Sequence, residues 1–516
     1  MGRRATPVGG GRRRAGRDGI EKRRGRCRAS SVLEYDAREF CEGVAWEYRI
    51  PRPYVMMTGL SDAEMKMNRV RVAMLAAVAG AIVMVGGARV SAQKNAGGKG
   101  AGGGAERTAT IDMNVVKPEA EGFSSERLEN FHALMQGVVD RKELPGAVTI
   151  LARHGKVIDY RVFGVKDLES GAKLEKDSIF RDFSMTKPVT AVAMMILYEQ
   201  GKWLPMDPIS KYIPEFKDLK VFKDVDAAGN MVVEEPKHAP TMGELMTHTA
   251  GFTYGFFGNT PVDKEYAKQK VMESKSLQEF IDRLAKIPLM YQPGTKWSYS
   301  ASMDVQGYII EKLSGQSLPD FYAEHIFKPL GMKDAGFFVP AEKRARFVTL
   351  YQGSEKEPLK AVKFGGDYET APGMPSGGGG MVSTAEDYYR FASMLASGGE
   401  LNGVRIISPE SVTLMSSNHL APHLLTGEFG IGSHTMRAGF GYGYNCAVVF
   451  DPPMAGLPDG KGEFFWDGAA GTWFWVDPTN DVVFVGMIQR MFGPGAPNVE
   501  YSSRSTIYGA LVEPKK

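Results

Sequence analysis

The chain has 516 residues, 43% hydrophobic and 24% charged, an ordinary globular composition with material for a sizeable core. Its formal charge of +3 averages two unlike parts: residues 1–92 carry 18 Lys+Arg against 9 Asp+Glu, and the remainder carries 45 against 51. A mildly acidic remainder gives no basic surface for nucleic acid, and eight scattered histidines with three cysteines show no zinc-type ligand spacing, so neither nucleic acid nor a metal is expected.

From Val72 to Ala88 every residue is apolar or small, preceded by Lys66, Arg69 and Arg71 and followed by Val90-Ser91-Ala92. A positive flank, an apolar stretch and a small-residue exit predict a secretory signal peptide over 65–92, and hence a periplasmic or secreted protein without a stable membrane anchor. The 17 residues also reach the lower limit of a membrane span, so a retained anchor over 72–88 is the alternative. Residues 1–64 then read either as a mis-assigned extension, with translation starting at Met65 or Met67, or as an Arg-rich tail without order. With Cys27 and Cys41 lost alongside that segment, only Cys446 remains and no internal disulfide can form.

Residues 93–110 form a Gly-rich linker, and a single domain over 111–516 follows. Helical spacing of Leu128, Phe131, Leu134 and Val138 predicts a helix over 124–139, with Ser124 or Ser125 as cap. Ala147–Ala152 and Val157–Val162 read as strands of a hairpin turning at Arg153-His154-Gly155-Lys156. A buried helix is predicted from Ser184 to about Gln200, stopped by Gly201. The pattern then stays mostly helical to about residue 350, including Leu277–Ala285 and Val305–Leu313. Ser383-Thr384-Ala385-Glu386 reads as a capping box opening a helix over 386–395. Phe464–Trp466, Thr472–Val476 and Val482–Ile488 return to strand. Strands at both ends with helices between them predict an α+β fold: an antiparallel sheet flanked by helices, with the first and last strands in one sheet and a mostly helical inserted region.

Chemistry concentrates at Ser184-Met185-Thr186-Lys187. A serine hydroxyl is a weak nucleophile at neutral pH and needs a base within reach. At the start of a helix, positions i and i+3 share a face, so Lys187 can reach back to Ser184. Burial under an apolar helix lowers a lysine's pKa and lets it accept a proton. The same spacing recurs at Ser170-Gly171-Ala172-Lys173, in a polar turn that reads as surface. There is no Gly-x-Ser-x-Gly elbow, and Gly377–Gly380 lacks the Lys-Ser/Thr of a P-loop. His248 reads as structural, and Phe252, Tyr254, Phe256 and Phe257 as either an acyl pocket or core.

The stretches FRDFSMTKPVTAVAMMILYEQGKWLPMDPISKYIPEF, LMTHTAGF, PGTKWSYSASMDVQGYIIEKLSG, IFKPLGMKDAGF, GGGGMVSTAEDYYRFASMLASGG and GEFFWDGAAGTWFWVDP resemble in order the serine β-lactamase and penicillin-binding protein superfamily over roughly 115–510. Within it, the sequence is most similar to class C β-lactamases and family VIII carboxylesterases. The resemblance implies a β-lactamase-like fold and a second catalytic residue at Tyr299, with Ala301 where the lactamases carry an Asn that contacts substrate. It places Trp466-Asp467-Gly468 where they carry Lys-Thr-Gly, removing the cation that would hold a substrate carboxylate and leaving Trp466, Asp467 and Gly468 at the substrate pocket. It implies an oxyanion hole from the N–H groups of Ser184 and Ala469. The expected activity is hydrolysis of small carboxylic esters through Ser184, Lys187 and Tyr299, without a cofactor. The alternatives are a β-lactamase or D-alanyl-D-alanine carboxypeptidase, and a non-catalytic relative that kept the fold.

Overall fold

Apolar runs from the two ends of the domain meet in one sheet. The computed structural model describes residues 107–425, 429–431, 434–436 and 438–513, so the expected extension 1–64, the expected signal peptide 65–92 and the expected linker up to residue 106 lie outside the described residues. Helix α1 (Ser125–Asp140) is capped by Ser124, whose Oγ accepts from the Arg127 N–H at 3.3 Å. Strands β1 (Gly146–Arg153) and β2 (Lys156–Gly164) form the expected hairpin. Its turn residues His154 and Gly155 both take positive φ, 52° and 72°, the pair that matches the right-handed twist of flanking strands.

A single 3-10 turn, Phe183–Met185, precedes helix α2 (Thr186–Glu199). The inserted region is mostly helical, with α3 (Leu277–Leu284) and α4 (Ser302–Ser314), but it also carries a hairpin, Val221–Val225 with Met231–Glu234, outside the helical expectation. Helix α5 (Ala385–Ala396) starts one residue before the expected position 386. Thr384 is the cap: its Oγ1 accepts from Asp387 N–H at 3.1 Å, and Asp387 Oδ2 accepts from Thr384 N–H at 3.3 Å. Ser383 cannot cap, because it pairs with Phe180 in a short strand and its hydroxyl donates to Asp182 at 2.8 Å.

The C-terminal part supplies β3 (Phe440–Tyr442), β4 (Ala447–Val449), β5 (Glu463–Asp467), β6 (Trp473–Asp477), β7 (Val482–Met487) and helix α6 (Val499–Ala510). The sheet runs β3-β4-β5-β6-β7-β1-β2, antiparallel throughout, so first and last strands are neighbours: Val148 faces Met487 and Arg153 faces Val482. Alternation along β6 builds the layers. Phe474 meets Tyr388 of α5 at 5.0 Å between ring centroids, while Trp475 on the other face stacks on Phe484 at 4.3 Å and faces Tyr508 of α6. Phe131 of α1 meets Phe484 edge-on at 5.8 Å on that same face. Helices thus cover both faces of a buried sheet, the α+β architecture expected. Among the described residues no helix is long and apolar enough to cross a membrane.

Candidate active site

Three side chains distant in the chain converge on one hydroxyl. Lys187 Nζ lies 3.0 Å from Ser184 Oγ, and Tyr299 OH donates to the same oxygen at 2.7 Å. Local helical geometry brings Lys187 there, one turn on from Ser184. Tyr299 arrives from the loop before α4, its ring packed against Trp466 at 5.7 Å and Tyr254 at 5.3 Å between centroids.

The serine turn is strained and pinned. Phe183 adopts φ +46°, a left-handed conformation uncommon for a bulky residue and a mark of a functional turn. Behind it, Gly468 packs so closely that a Cβ there would lie 2.2 Å from the Asp182 carbonyl oxygen and 2.3 Å from Thr472 Oγ1. Gly468 therefore locks the β5–β6 turn onto the serine turn and is not part of the cavity wall, correcting the expectation that it lines the pocket. The N–H groups of Ser184 and Ala469 donate to no backbone carbonyl among the described residues, and both residues line the cavity. Ala469 is held by its own carbonyl, which accepts from Phe492 N–H at 2.9 Å.

Burial tunes the two partners oppositely. Lys187 is 0% exposed, and desolvation brings its ammonium down to about 7 despite the charges of Asp304 and Asp467. Burial pushes the Tyr299 phenol well above its ordinary value, so it keeps its proton. Lys187 also donates to the Gly378 carbonyl at 2.6 Å. That glycine loop is tied along α2, with Thr190 Oγ1 donating to Gly377 O at 2.6 Å and Met381 N–H to Thr186 Oγ1 at 3.1 Å. Asp304 of α4 receives Ser376 Oγ at 2.5 Å and Gly378 N–H at 3.3 Å, and burial raises its carboxyl. Gly378 and Asp304 are site residues that motif reading missed, although an acidic residue in an apolar helix and a four-glycine run were visible signals.

The other expected residues separate. Trp466 and Asp467 line a cavity of about 770 Å³ with Ser184 and Tyr299, and Asp467 is only 5% exposed. Tyr254, Phe256 and Phe257 line it too, whereas Phe252 is buried against Phe216 at 5.6 Å and belongs to the core. His248 accepts the Ser300 N–H on Nδ1 at 3.2 Å and packs 4.8 Å from the Tyr299 ring. Desolvation lowers its pKa well below the usual value, so it is a neutral prop for Tyr299. Ser170 sits in an exposed turn, bonded to Asp167. Among the described residues no group of His, Cys, Asp or Glu is placed to hold a metal ion.

A serine flanked by a buried amine and a phenol, under an antiparallel sheet covered by helices, is the arrangement of a serine hydrolase. The chain belongs to the Beta-lactamase family, whose model matches residues 131–504. It is similar to Protein Rv1367c of Mycobacterium tuberculosis (strain ATCC 25618 / H37Rv), 36% identical over 368 residues that cover 70% of this chain and 90% of that one. It is also similar to Esterase EstB of Burkholderia gladioli, 31% identical over 389 residues, 71% of this chain and 90% of the esterase. Among solved structures, EstCE1, a hydrolase with promiscuous acyltransferase activity, superposes with a TM-score of 0.62 at 25% identity over 75% of this chain and 98% of its own. The resemblance seen in the motifs thus holds, and the chain is a serine hydrolase enzyme with esterase relatives.

Proposed function

We propose that this enzyme hydrolyses small carboxylic esters through an acyl-enzyme on Ser184. The observation that carries the reading is the shared hydrogen bonding of Ser184 Oγ by Lys187 and Tyr299 at the wall of an aromatic cavity. With the amine neutral, the Ser184 O–H donates to the Nζ lone pair while an N–H of Lys187 points at Gly378 O. As Oγ attacks the ester carbonyl carbon, its proton passes to Lys187. The carbonyl oxygen becomes an oxyanion, taken up by the N–H groups of Ser184 and Ala469, donors of a kind worth about 3 kcal/mol each in other hydrolases. Tyr299, holding its proton, delivers it to the departing alkoxide, and the proton on Lys187 restores the pair. Water then takes the place of the alcohol, loses a proton to the neutral amine and attacks the acyl carbon, and Lys187 returns that proton to Ser184 Oγ as the acid leaves.

The β-lactamase and carboxypeptidase readings are weaker on this site. Their substrates carry a carboxylate, and no Lys or Arg is among the described residues lining the cavity. Steady-state turnover of p-nitrophenyl butyrate and of a chromogenic cephalosporin tests the choice. The ester is expected to be hydrolysed with kcat/KM at least about a hundredfold above the cephalosporin, with Ser184→Ala abolishing both. Equal rates, or cephalosporin preference, overturn the ester reading.

A further inference from the structure

The cavity around Ser184 has a charge preference built into its wall. Two carboxylates line it, Asp467 and Asp367, and among its described lining residues there is no Lys, Arg or His. Asp467 ends β5 beside Trp466, almost wholly buried, and its negative charge reaches Lys187 and Tyr299. Asp367 stands exposed at the mouth, with the Glu369 N–H donating to Oδ1 at 2.9 Å. Lys187 does not line the cavity; its Nζ sits 4.5 Å from the centroid of the Tyr299 ring and 5.4 Å from that of Tyr254.

Aromatic rings line the same cavity as the two acids. On one side Phe256 lies 5.0 Å from Tyr254 and 4.5 Å from Phe257, with Phe256 and Phe257 both exposed at the rim. On the other side Phe183 lies 6.1 Å from Phe364 and 6.5 Å from Tyr368, the residues that bracket Asp367 in sequence. Ring faces and carboxylates both attract positive charge, and more strongly where water is excluded. A substrate carboxylate would meet like charges in an apolar wall that has no Lys, Arg or His among its described lining residues, a costly desolvation. A neutral group gains only apolar burial.

We infer that the site selects esters bearing a quaternary or protonated amino group over uncharged isosteres, and disfavours anionic esters. This rests on the ester-hydrolase reading proposed above. Asp467 and the rings next to Ser184 attract the cation, and Asp367 guides it at the mouth.

The test compares butyrylthiocholine, its uncharged carbon isostere S-(3,3-dimethylbutyl) thiobutyrate, and the S-butyryl thioester of 3-mercaptopropionate, with p-nitrophenyl butyrate as the charge-independent reference. The expected kcat/KM for the choline ester exceeds that of the isostere by about tenfold, the scale of a desolvated cation–aromatic contact, and the anionic ester falls below both. Asp467→Asn is expected to shrink the choline preference severalfold. Asp367→Asn, at an exposed position, is expected to shrink it less, and to remove the part of the preference that added salt also removes. An isostere turned over as well as or better than the choline ester, while p-nitrophenyl butyrate is hydrolysed, overturns the charge inference and leaves the esterase reading standing. Failure of all four substrates overturns both.

Discussion

Lys187 and Tyr299 flank one hydroxyl, and the same burial that makes the amine a base keeps the phenol an acid. The lysine is neutral above about 7, so kcat/KM for a neutral ester should rise with pH through about 7 and level off above it, because below that point Lys187 is protonated and cannot accept the Ser184 proton. An acid limb centred two units lower would remove Lys187 from the role of base. Replacing the phenol by a plain phenyl ring leaves the ring packing and deletes the proton donor, so Tyr299→Phe should lower kcat by about 10²–10⁴ with little change in the melting temperature. The Ser184–Lys187 pair was legible in the sequence because one helical turn settles their distance. Tyr299, 115 residues from Ser184, was legible only through resemblance. Asp304 and Gly378 stood out as an acid in an apolar helix and a member of a glycine run, but their roles depend on a loop crossing α2, which no local pattern encodes.

At the scale of elements, the serine turn is held by backbone contacts. Gly468 touches the Asp182 carbonyl and the Thr472 hydroxyl. Gly468→Ala should therefore push the β5–β6 turn, and Ala469 with it, away from Ser184, lowering kcat by about a hundredfold while KM moves less. Gly509, in α6 with open space around it, offers the contrast. There Gly509→Ala should leave kinetics unchanged and add roughly 0.5–1 kcal/mol of stability on urea denaturation. Asp182 adds a pH-dependent element: fully buried, it is raised to about 8 by desolvation, against the hydrogen bond from Ser383. A carboxyl raised in the fold binds its proton more tightly there than in the unfolded chain, so its contribution is complete below about pH 4 and fades as pH rises towards 8. Asp182→Asn should flatten that decline, seen as denaturation midpoints that converge at pH 4–5 and favour the variant at pH 8. A wild-type midpoint that improves from pH 5 to 8 relative to the variant would contradict it. Ordinary helix signals located α1, α2 and α5 to within two residues. At α5 the cap is Thr384 and not Ser383, because Ser383 is already spent on a strand and on Asp182.

Across the whole molecule, the fold closes by pairing the N-terminal hairpin with the C-terminal strands, and α6 seals the face bearing Trp475. Its anchor is Arg504, fully buried, 3.0 Å from Glu463, 3.5 Å from Asp459 and 3.6 Å from Glu500. Removing the single cation leaves buried carboxylates facing one another, so Arg504→Met should cost about 3–5 kcal/mol in chemical denaturation, more than a surface pair would. Apolar runs with turn residues between them made β1, β2, β6 and β7 readable, and hence the shared sheet. The three-residue strands β3 and β4 were not readable, because segments that short carry no periodicity and gain their order from the strand next to them. The hairpin in the inserted region escaped for a similar reason: its strands are only five and four residues long and largely exposed.

The central claim, covalent catalysis at Ser184, is tested most directly by intact-mass spectrometry after rapid acid quench of the enzyme turning over p-nitrophenyl butyrate. A species heavier by one butyryl group is expected in the wild type, mapping by peptide to Ser184, and its absence in Ser184→Ala. A butyryl adduct that survives in Ser184→Ala, or hydrolysis at full rate without Ser184, would contradict it.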